Sequence, residues 1–329
     1  MSDVLESGPA TLDFESHRSE LTGYCYRMLG STFDADDAVQ ETMVRAWQAA
    51  DSFEGRSSVR SWLYRIATNV CLDSLRSRQR RALPMDLSAP VPASTPPEKI
   101  LPEATWIEPI PAADLDPAEY AVAQDTIRLA FIAALQHLPP KQRAVLILRE
   151  VLAWQATEVA ELLETTVASV NSALQRARAT LAATEAVQTS RMSSLGEDDK
   201  ALLARYVAAF ESYDIDALVS LLHEDATFSM PPFEMWIAGT SDIHDFYLGH
   251  GIGCMDSHLV PLVANDMPAF GHYKRDPGDD VYRPWAIQVI EISGGRVSHL
   301  HHFIDFDTKL FARFGLPPTF NEGLVSDNA

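Results

Sequence analysis

The chain has 329 residues, of which 47% are hydrophobic and 22% charged, and this composition excludes a disordered or fibrous protein. Its formal net charge of −20 argues, taken alone, against a nucleic-acid partner, because phosphate contacts require local positive potential. Three widely spaced cysteines fit neither a disulfide framework nor the close pairs of a structural zinc site, so no cofactor or metal is expected.

The charge is distributed unevenly along the chain. Residues 192–329 contain 21 acidic and 8 basic residues, so most of the negative excess lies in the last part. Between Arg56 and Arg81 the balance reverses, with seven arginines against the single acid Asp73. One basic stretch in an acidic protein is the pattern expected of a local nucleic-acid surface.

The sequence contains neither a membrane-spanning nor a secretory signal. No window approaches the roughly 18 uninterrupted apolar residues of a spanning helix. Residues 1–10 lack the basic-then-apolar pattern of a signal peptide. We therefore expect a cytoplasmic protein without membrane contact.

From Phe14 to about Leu83, apolar residues recur at intervals of three and four, which predicts helices throughout. In the helix that begins near Asp34, the spacing places Asp37, Gln40 and Glu41 on one face. Such a face, taken alone, is most simply a solvated acidic surface.

The next segment joins a glycine-containing loop, residues 53–59, to a helix rich in arginine and aromatic residues. Trp62, Arg65, Asn69 and Arg76 offer stacking surfaces, amide hydrogen bonds and phosphate contacts, which together can hold unstacked bases. Aromatic residues on a helix are also common core residues, so composition leaves both interpretations open.

In order and spacing, residues 14–81 resemble the second conserved region of extracytoplasmic-function (ECF) sigma-70 family factors. The resemblance implies that Asp37, Gln40 and Glu41 bind core RNA polymerase. It also implies that the loop and the following helix capture a flipped base of the promoter −10 element and help to melt the duplex, without catalytic residues. The −10 candidates are Arg56, Ser57, Ser58, Arg60, Trp62, Arg65, Asn69 and Arg76.

Residues 86–117 form a proline-rich, acidic linker. The apolar group Trp106, Ile107 and Ile110 is unusual for a solvated spacer, so either docking onto a partner or the C-terminal domain, or a plain tether, is expected. In sigma factors this segment threads toward the polymerase cleft. The resemblance implies that acidic side chains of this segment mimic nascent RNA there. They are Glu103, Glu108, Asp114 and Asp116.

A second helical block, residues 118–188, ends in a helix with a regular apolar stripe from Val167 to Leu181. It resembles the fourth conserved region of sigma factors, whose helix-turn-helix contacts the −35 element. Asn171 and Ala173 stand where family members often carry basic residues. The −35 candidates are Ser169, Asn171, Ser172, Gln175, Arg176 and Arg178.

After Gly196 the pattern changes to helices followed by antiparallel strands, which indicates an α+β domain. Residues 195–322 resemble the SnoaL-like branch of the NTF2-like fold, and the whole layout resembles the sigma-G-type ECF factors. Such a fold has a cavity, for which the candidates are Trp236, His299, His301 and Asp305. Strand alternation places His302 on the opposite face from His299 and His301.

The sequence thus predicts a multidomain protein: a region 2 helical bundle (1–85), the linker, a region 4 helix-turn-helix domain and an α+β cone domain. The expected function is transcription initiation with core RNA polymerase and promoter DNA. The C-terminal domain would modulate activity by contacting the sigma domains, and an anti-sigma factor or small ligand could act on it. The alternatives are a cyclase or isomerase-type enzyme or ligand sensor fused to a DNA-binding region, and a helix-turn-helix repressor.

Overall fold

The computed structural model describes residues 12–76, 78–117, 124–183 and 196–320. It separates into two compact units. One takes its residues from 1–78, 114–123 and 135–184, and the other from 79–113, 124–134 and 185–329. The predicted domain limits at 118, 188, 195 and 322 fall outside the described residues.

The first unit begins with a three-helix bundle. Its helices are α1 (Arg18–Leu29), α2 (Thr32–Gln48) and α3 (Val59–Leu75). Ser31 and Ser58 cap α2 and α3, because each side chain accepts a hydrogen bond from a free backbone N–H of the first turn. In the core, the Tyr24 and Thr68 hydroxyls lie 2.7 Å apart.

A second group of helices follows the linker. They are α4 (Leu129–Gln136), α5 (Pro140–Leu146), α6 (Ala156–Leu162) and α7 (Val167–Ala183). A π-helical turn, Ile147–Val151, continues α5, and Glu164, with φ +51°, lies in the turn between α6 and α7. The predicted apolar stripe of α7 is buried at Val170, Leu174, Ala177 and Leu181, so its opposite face is solvent-exposed.

The second unit contains a six-stranded mixed sheet in the order β2-β1-β6-β5-β4-β3. Only the β1–β6 pair is parallel. The strands are β1 (Leu222–Ser229), β2 (Trp236–Ala238), β3 (Ser257–Ala264), β4 (Met267–Lys274), β5 (Arg283–Ser293) and β6 (Arg296–Ile304). The helices are α8 (Glu197–Glu211), α9 (Ile215–Ser220), α10 (Thr240–Leu248) and α11 (Lys309–Arg313).

A tight hairpin joins β5 to β6. Gly294 and Gly295 have φ of +58° and +74°, a conformation that costs glycine little and that a two-residue hairpin turn requires. Together, the helical first part and this α+β domain confirm the predicted fold class. Within the described residues, no helix is both long and apolar enough to cross a membrane.

Candidate nucleic-acid interface

The predicted polymerase-binding residues lie together on α2. Asp37, Gln40 and Glu41 are all exposed, as their helical spacing predicts. Glu41 also accepts a hydrogen bond from Arg45 one turn later, 2.7 Å away, so its carboxylate is oriented on the helix surface. The three side chains are therefore available to a partner.

This face of α2 also has an apolar part that the sequence does not predict. Trp47 is 77% exposed and Val44 is 40% exposed, although Trp47 continues the apolar spacing of Val39, Met43 and Ala46. They line an open groove of about 780 Å³ that also includes Phe14, Gln40 and Met43. An exposed tryptophan beside a groove is typical of a protein-binding surface.

Four of the −10 candidates share one face of α3 and its C-cap residue, Arg76. Trp62, Arg65, Asn69 and Arg76 are spaced by three, four and seven residues. Trp62 packs against Phe53, with ring centroids 4.9 Å apart, and remains partly exposed. Asn69 and Arg76 are exposed, so an amide and a guanidinium extend from the same surface as an aromatic ring.

Three of the remaining −10 candidates lie in the loop before α3, and Arg60 lies in the first turn of α3. Arg56 is almost fully exposed and forms an ion pair with Glu54, 2.8 Å away. Ser57 is half-buried, and the Ser58 hydroxyl caps α3 and accepts from the backbone N–H of Ser61 at 3.0 Å. Arg60 differs from them, because it pairs with Glu20 at 2.6 Å.

The −35 candidates all lie on the exposed side of α7. Ser169 is beside the Thr166 cap, with the two hydroxyl oxygens 3.0 Å apart. Arg178 is held by Glu150, to which its Nε donates at 3.0 Å. Ala173 is buried and cannot reach a base. The exposed members are Ser169, Asn171, Ser172, Gln175, Arg176 and Arg178.

The four cavity candidates have separate surroundings. The Trp236 indole donates to the carbonyl of Ser88 at 2.8 Å, and Asp305 accepts from the backbone N–H of Phe311 at 2.9 Å. His299 and His301 stack with ring centroids 5.9 Å apart. Of the four cavity candidates, His299 and His301 are therefore the two that these interactions bring into contact with each other.

His301 belongs to a buried network that crosses three strands. Its Nδ1 is 3.1 Å from the Ser229 hydroxyl and its Nε2 is 3.2 Å from Glu291. Burial raises the pKa of Glu291, but the hydrogen bond with His301 and the electrostatic effect of His299, His301 and Arg128 outweigh burial and lower that pKa overall. Ser229 and His301 are almost fully buried, so this serine–histidine–glutamate arrangement is closed to substrate.

A second buried network, also missed from the sequence, lies on the other side of the sheet. Tyr206 donates to Gln288 at 2.9 Å, and Gln288 contacts His272, which contacts the Ser257 hydroxyl at 2.8 Å. His302 lies on this face, as strand alternation predicts, with its ring 4.9 Å from that of Phe228. Burial and the charge of His301 lower the His302 pKa to about 3.

Comparison with known proteins connects these surfaces to a family. Family models for sigma-70 region 2, sigma-70 region 4 and the SnoaL-like domain match residues 14–81, 128–181 and 203–300. The ECF RNA polymerase sigma factor SigG of Mycobacterium tuberculosis is 44% identical over 319 residues, which cover 93% of this chain and 84% of SigG. The chain belongs to the ECF sigma factors.

A second member of the family matches over most of the chain. SigJ of Mycobacterium tuberculosis is 30% identical, and the match covers 88% of this chain and 89% of SigJ. The crystal structure of SigJ superimposes with a TM-score of 0.59 at 25% identity, covering 92% of this chain and 99% of SigJ. This ECF sigma factor therefore initiates transcription with RNA polymerase on promoter DNA and is not an enzyme.

In this sigma factor, the linker between the two conserved regions is docked on the C-terminal domain. Ile100 forms an antiparallel bridge with Phe233. The backbone N–H groups of Val91 and Leu101 donate to the carbonyls of Trp236 and Pro232, at 2.9 and 3.0 Å. Because β2 is an edge strand, the linker covers backbone groups that would otherwise face solvent.

The linker also reaches the opposite edge of the sheet. Pro111 bridges Ala264 at the end of β3, and the Asn265 amide side chain accepts from Ile110 N–H at 3.0 Å and donates to Ile127 O at 2.7 Å. Asn265 is fully buried, with φ +54°, a left-handed conformation that asparagine tolerates well. The Asn265 side chain thus forms hydrogen bonds with both the linker and the segment that leads into α4.

Proposed function

We propose that this sigma factor recognises the −10 element through the exposed face of α3 and its preceding loop, and the −35 element through α7. The observation that carries this proposal is the alignment of Trp62, Arg65, Asn69 and Arg76 along one face of α3. A base that leaves the duplex loses a few kcal/mol of stacking and pairing, which a stacking surface and hydrogen bonds restore. The face of α2 with Asp37, Gln40 and Glu41 binds the core polymerase.

The exposed side chains of α7 fall into groups by the contacts they make with the duplex. Gln175 and Asn171 match the hydrogen-bonding edge of adenine, and Arg176 matches guanine or a phosphate. Ser169 and Ser172 contact either bases or the backbone, and Arg178 contacts phosphate. Arginine is scarce on this helix, so contact with the duplex relies on few charges.

We also propose that the C-terminal domain modulates initiation by retaining the linker. The linker side chains Trp106, Ile107 and Ile110 are at most 3% exposed. Glu108 is buried as well, 3.9 Å from the guanidinium of Arg81, which also donates to the carbonyl of Glu103 at 3.0 Å. A linker held in this way has to leave the domain before its acidic residues can enter the polymerase cleft.

Transcription in vitro with core RNA polymerase and a promoter library tests the DNA-binding assignment. Asp37→Ala should weaken core binding, Asn69→Ala should weaken promoter opening, and Gln175→Ala should relax selectivity at one −35 position by about 1–3 kcal/mol. Arg205→Ala, an exposed arginine of the C-terminal domain, is the matched control. Equal transcript yields from the three variants and the control would refute the assignment.

Hydrogen exchange combined with transcription tests the modulation by the linker. Asn265→Gly keeps the left-handed turn and deletes both amide hydrogen bonds, so the Ile110 amide should exchange faster while the β3–β4 amides stay protected. We expect promoter output to rise as the linker is freed. Faster exchange at Ile110 with unchanged output would show that the docked linker has no regulatory effect.

A further inference from the structure

One aromatic side chain outside the −10 candidates belongs to both of the proposed surfaces of region 2. Phe14, which precedes α1, lines the groove beside Trp47 on α2. Its ring centroid also lies 5.8 Å from that of Trp62, the aromatic residue of the −10 face, at an interplanar angle of 54°. The groove and the −10 face of α3 therefore share one side chain.

The orientation of the Trp62 ring depends on two aromatic neighbours. Phe53, from the loop before α3, lies 4.9 Å from Trp62 between ring centroids, at an interplanar angle of 39°, and Phe14 is the second neighbour. Trp62 is only partly buried, so burial alone does not fix its rotamer. One aromatic pair changes an equilibrium by roughly two- to tenfold, which is enough to select one orientation of an exposed ring.

Local contacts fix the segment that carries Phe14. The short helical turn Glu15–His17 begins directly after it, and the Phe14 carbonyl accepts a hydrogen bond from the His17 N–H at 3.1 Å. Arg18 donates to both carboxylate oxygens of Glu15, from Nε at 2.7 Å and from Nη2 at 2.9 Å. Because this backbone is already ordered, the ring of Phe14 is a fixed support and does not have to be ordered when DNA binds.

The position of the Trp62 ring matters because the −10 face is spread along α3. Seven residues separate Trp62 from Asn69, a rise of about 10 Å along the helix axis. A base that stacks on the indole therefore reaches the amide only if the ring plane directs it along the helix. Binding sites generally need such groups within about 0.5 Å and 10–20° of the productive geometry.

We infer that Phe14 is a positioning residue for recognition of the −10 element, whose ring holds Trp62 in the orientation that stacks on the unpaired base. The inference rests on the proposed base contact of Trp62 and adds the residue that orients it. Phe14 acts through Trp62 and does not itself contact the base.

A double-variant cycle on the full chain tests this role. Phe14→Leu keeps an apolar side chain at the groove and removes the ring. Promoter opening is measured by the permanganate reactivity of unpaired thymines, at saturating core polymerase, on a promoter that the wild type selects from a library. Phe14→Leu should lower opening by about five- to tenfold. In a Trp62→Ala background the same change should have no further effect, because the ring that Phe14 orients is absent. Equal losses in both backgrounds would overturn the inference.

Two control variants separate positioning from a general loss of structure. Phe33→Leu makes the same change at a half-buried position of α2, for which the described residues show no ring contact with Trp62, so opening should stay within about twofold of the wild type. Phe14→Tyr keeps the ring and should restore opening. A loss in Phe14→Leu that disappears at higher core polymerase concentration would place Phe14 in polymerase binding alone and overturn the inference. If Phe14→Leu does not fold, Phe14→Met replaces it, because methionine adapts to irregular space.

The two proposals can fail separately. A Trp62→Ala protein that opens promoters as well as the wild type would contradict the proposed base contact of Trp62. A loss of opening in Trp62→Ala, together with unchanged opening in Phe14→Leu, would support that contact and overturn the role of Phe14.

Discussion

Single residues show what helical periodicity can and cannot identify. The spacing of Asp37, Gln40 and Glu41 predicts a shared face, and the structure exposes all three. Trp47 continues the apolar spacing of Val39 and Met43, which are buried, yet its side chain is 77% exposed. Hydrophobicity favours burial in general, but it does not distinguish a residue that packs within the chain from one that packs on a partner.

Trp47→Ala should weaken binding to core RNA polymerase by tenfold or more, because exposed tryptophans in a groove often carry much of an interface's affinity. The free energy of unfolding should change by less than ~0.5 kcal/mol, since the ring is not in the core. Leu248→Ala, at a 53% exposed position of the C-terminal domain, is the control. Affinity and thermal unfolding measured on both variants check the expectation; equal affinities would remove Trp47 from the interface.

The contribution of Asp305 to folding stability should depend on pH. Burial raises the pKa of Asp305 to about 6, above the ordinary value of 3.8. The folded state therefore binds the proton more tightly, so the contribution of Asp305 to stability is present below about pH 4 and is lost as pH rises through 6.

Asp305→Asn removes this titration and keeps an oxygen that can accept from Phe311 N–H. Thermal unfolding of the variant should match the wild type near pH 4 and exceed it near pH 7. A constant difference between the two proteins across this range would mean that Asp305 does not titrate as inferred.

At the scale of elements, the sequence predicts secondary structure well where the local pattern decides it. The apolar stripe of α7 and the glycine turn between β5 and β6 are both present, and alternation places His302 opposite His299 and His301. The path of the linker was not predictable. Its contacts join Ile100 to Phe233 and Ile110 to Asn265, partners more than 130 residues away, which no local pattern encodes.

The pairing of Arg178 with Glu150 predicts how α7 engages a duplex. Glu150→Gln removes the charge that holds the guanidinium, so duplex affinity should rise uniformly across sequences. The slope of log affinity against log salt concentration should steepen by the amount expected for about one additional phosphate contact. Glu161→Gln, an exposed acid on α6, is the matched control. Binding titrations at several salt concentrations check this, and identical slopes for both variants would place Arg178 away from the DNA.

At the scale of the whole molecule, the excess of negative charge and the DNA-binding surface are reconciled by their separation along the chain. The basic stretch from Arg56 to Arg81 lies before the linker, whereas the acidic residues concentrate after residue 192. The proposed restraint on initiation, the Asn265 contact that holds the linker, lies in the second compact unit.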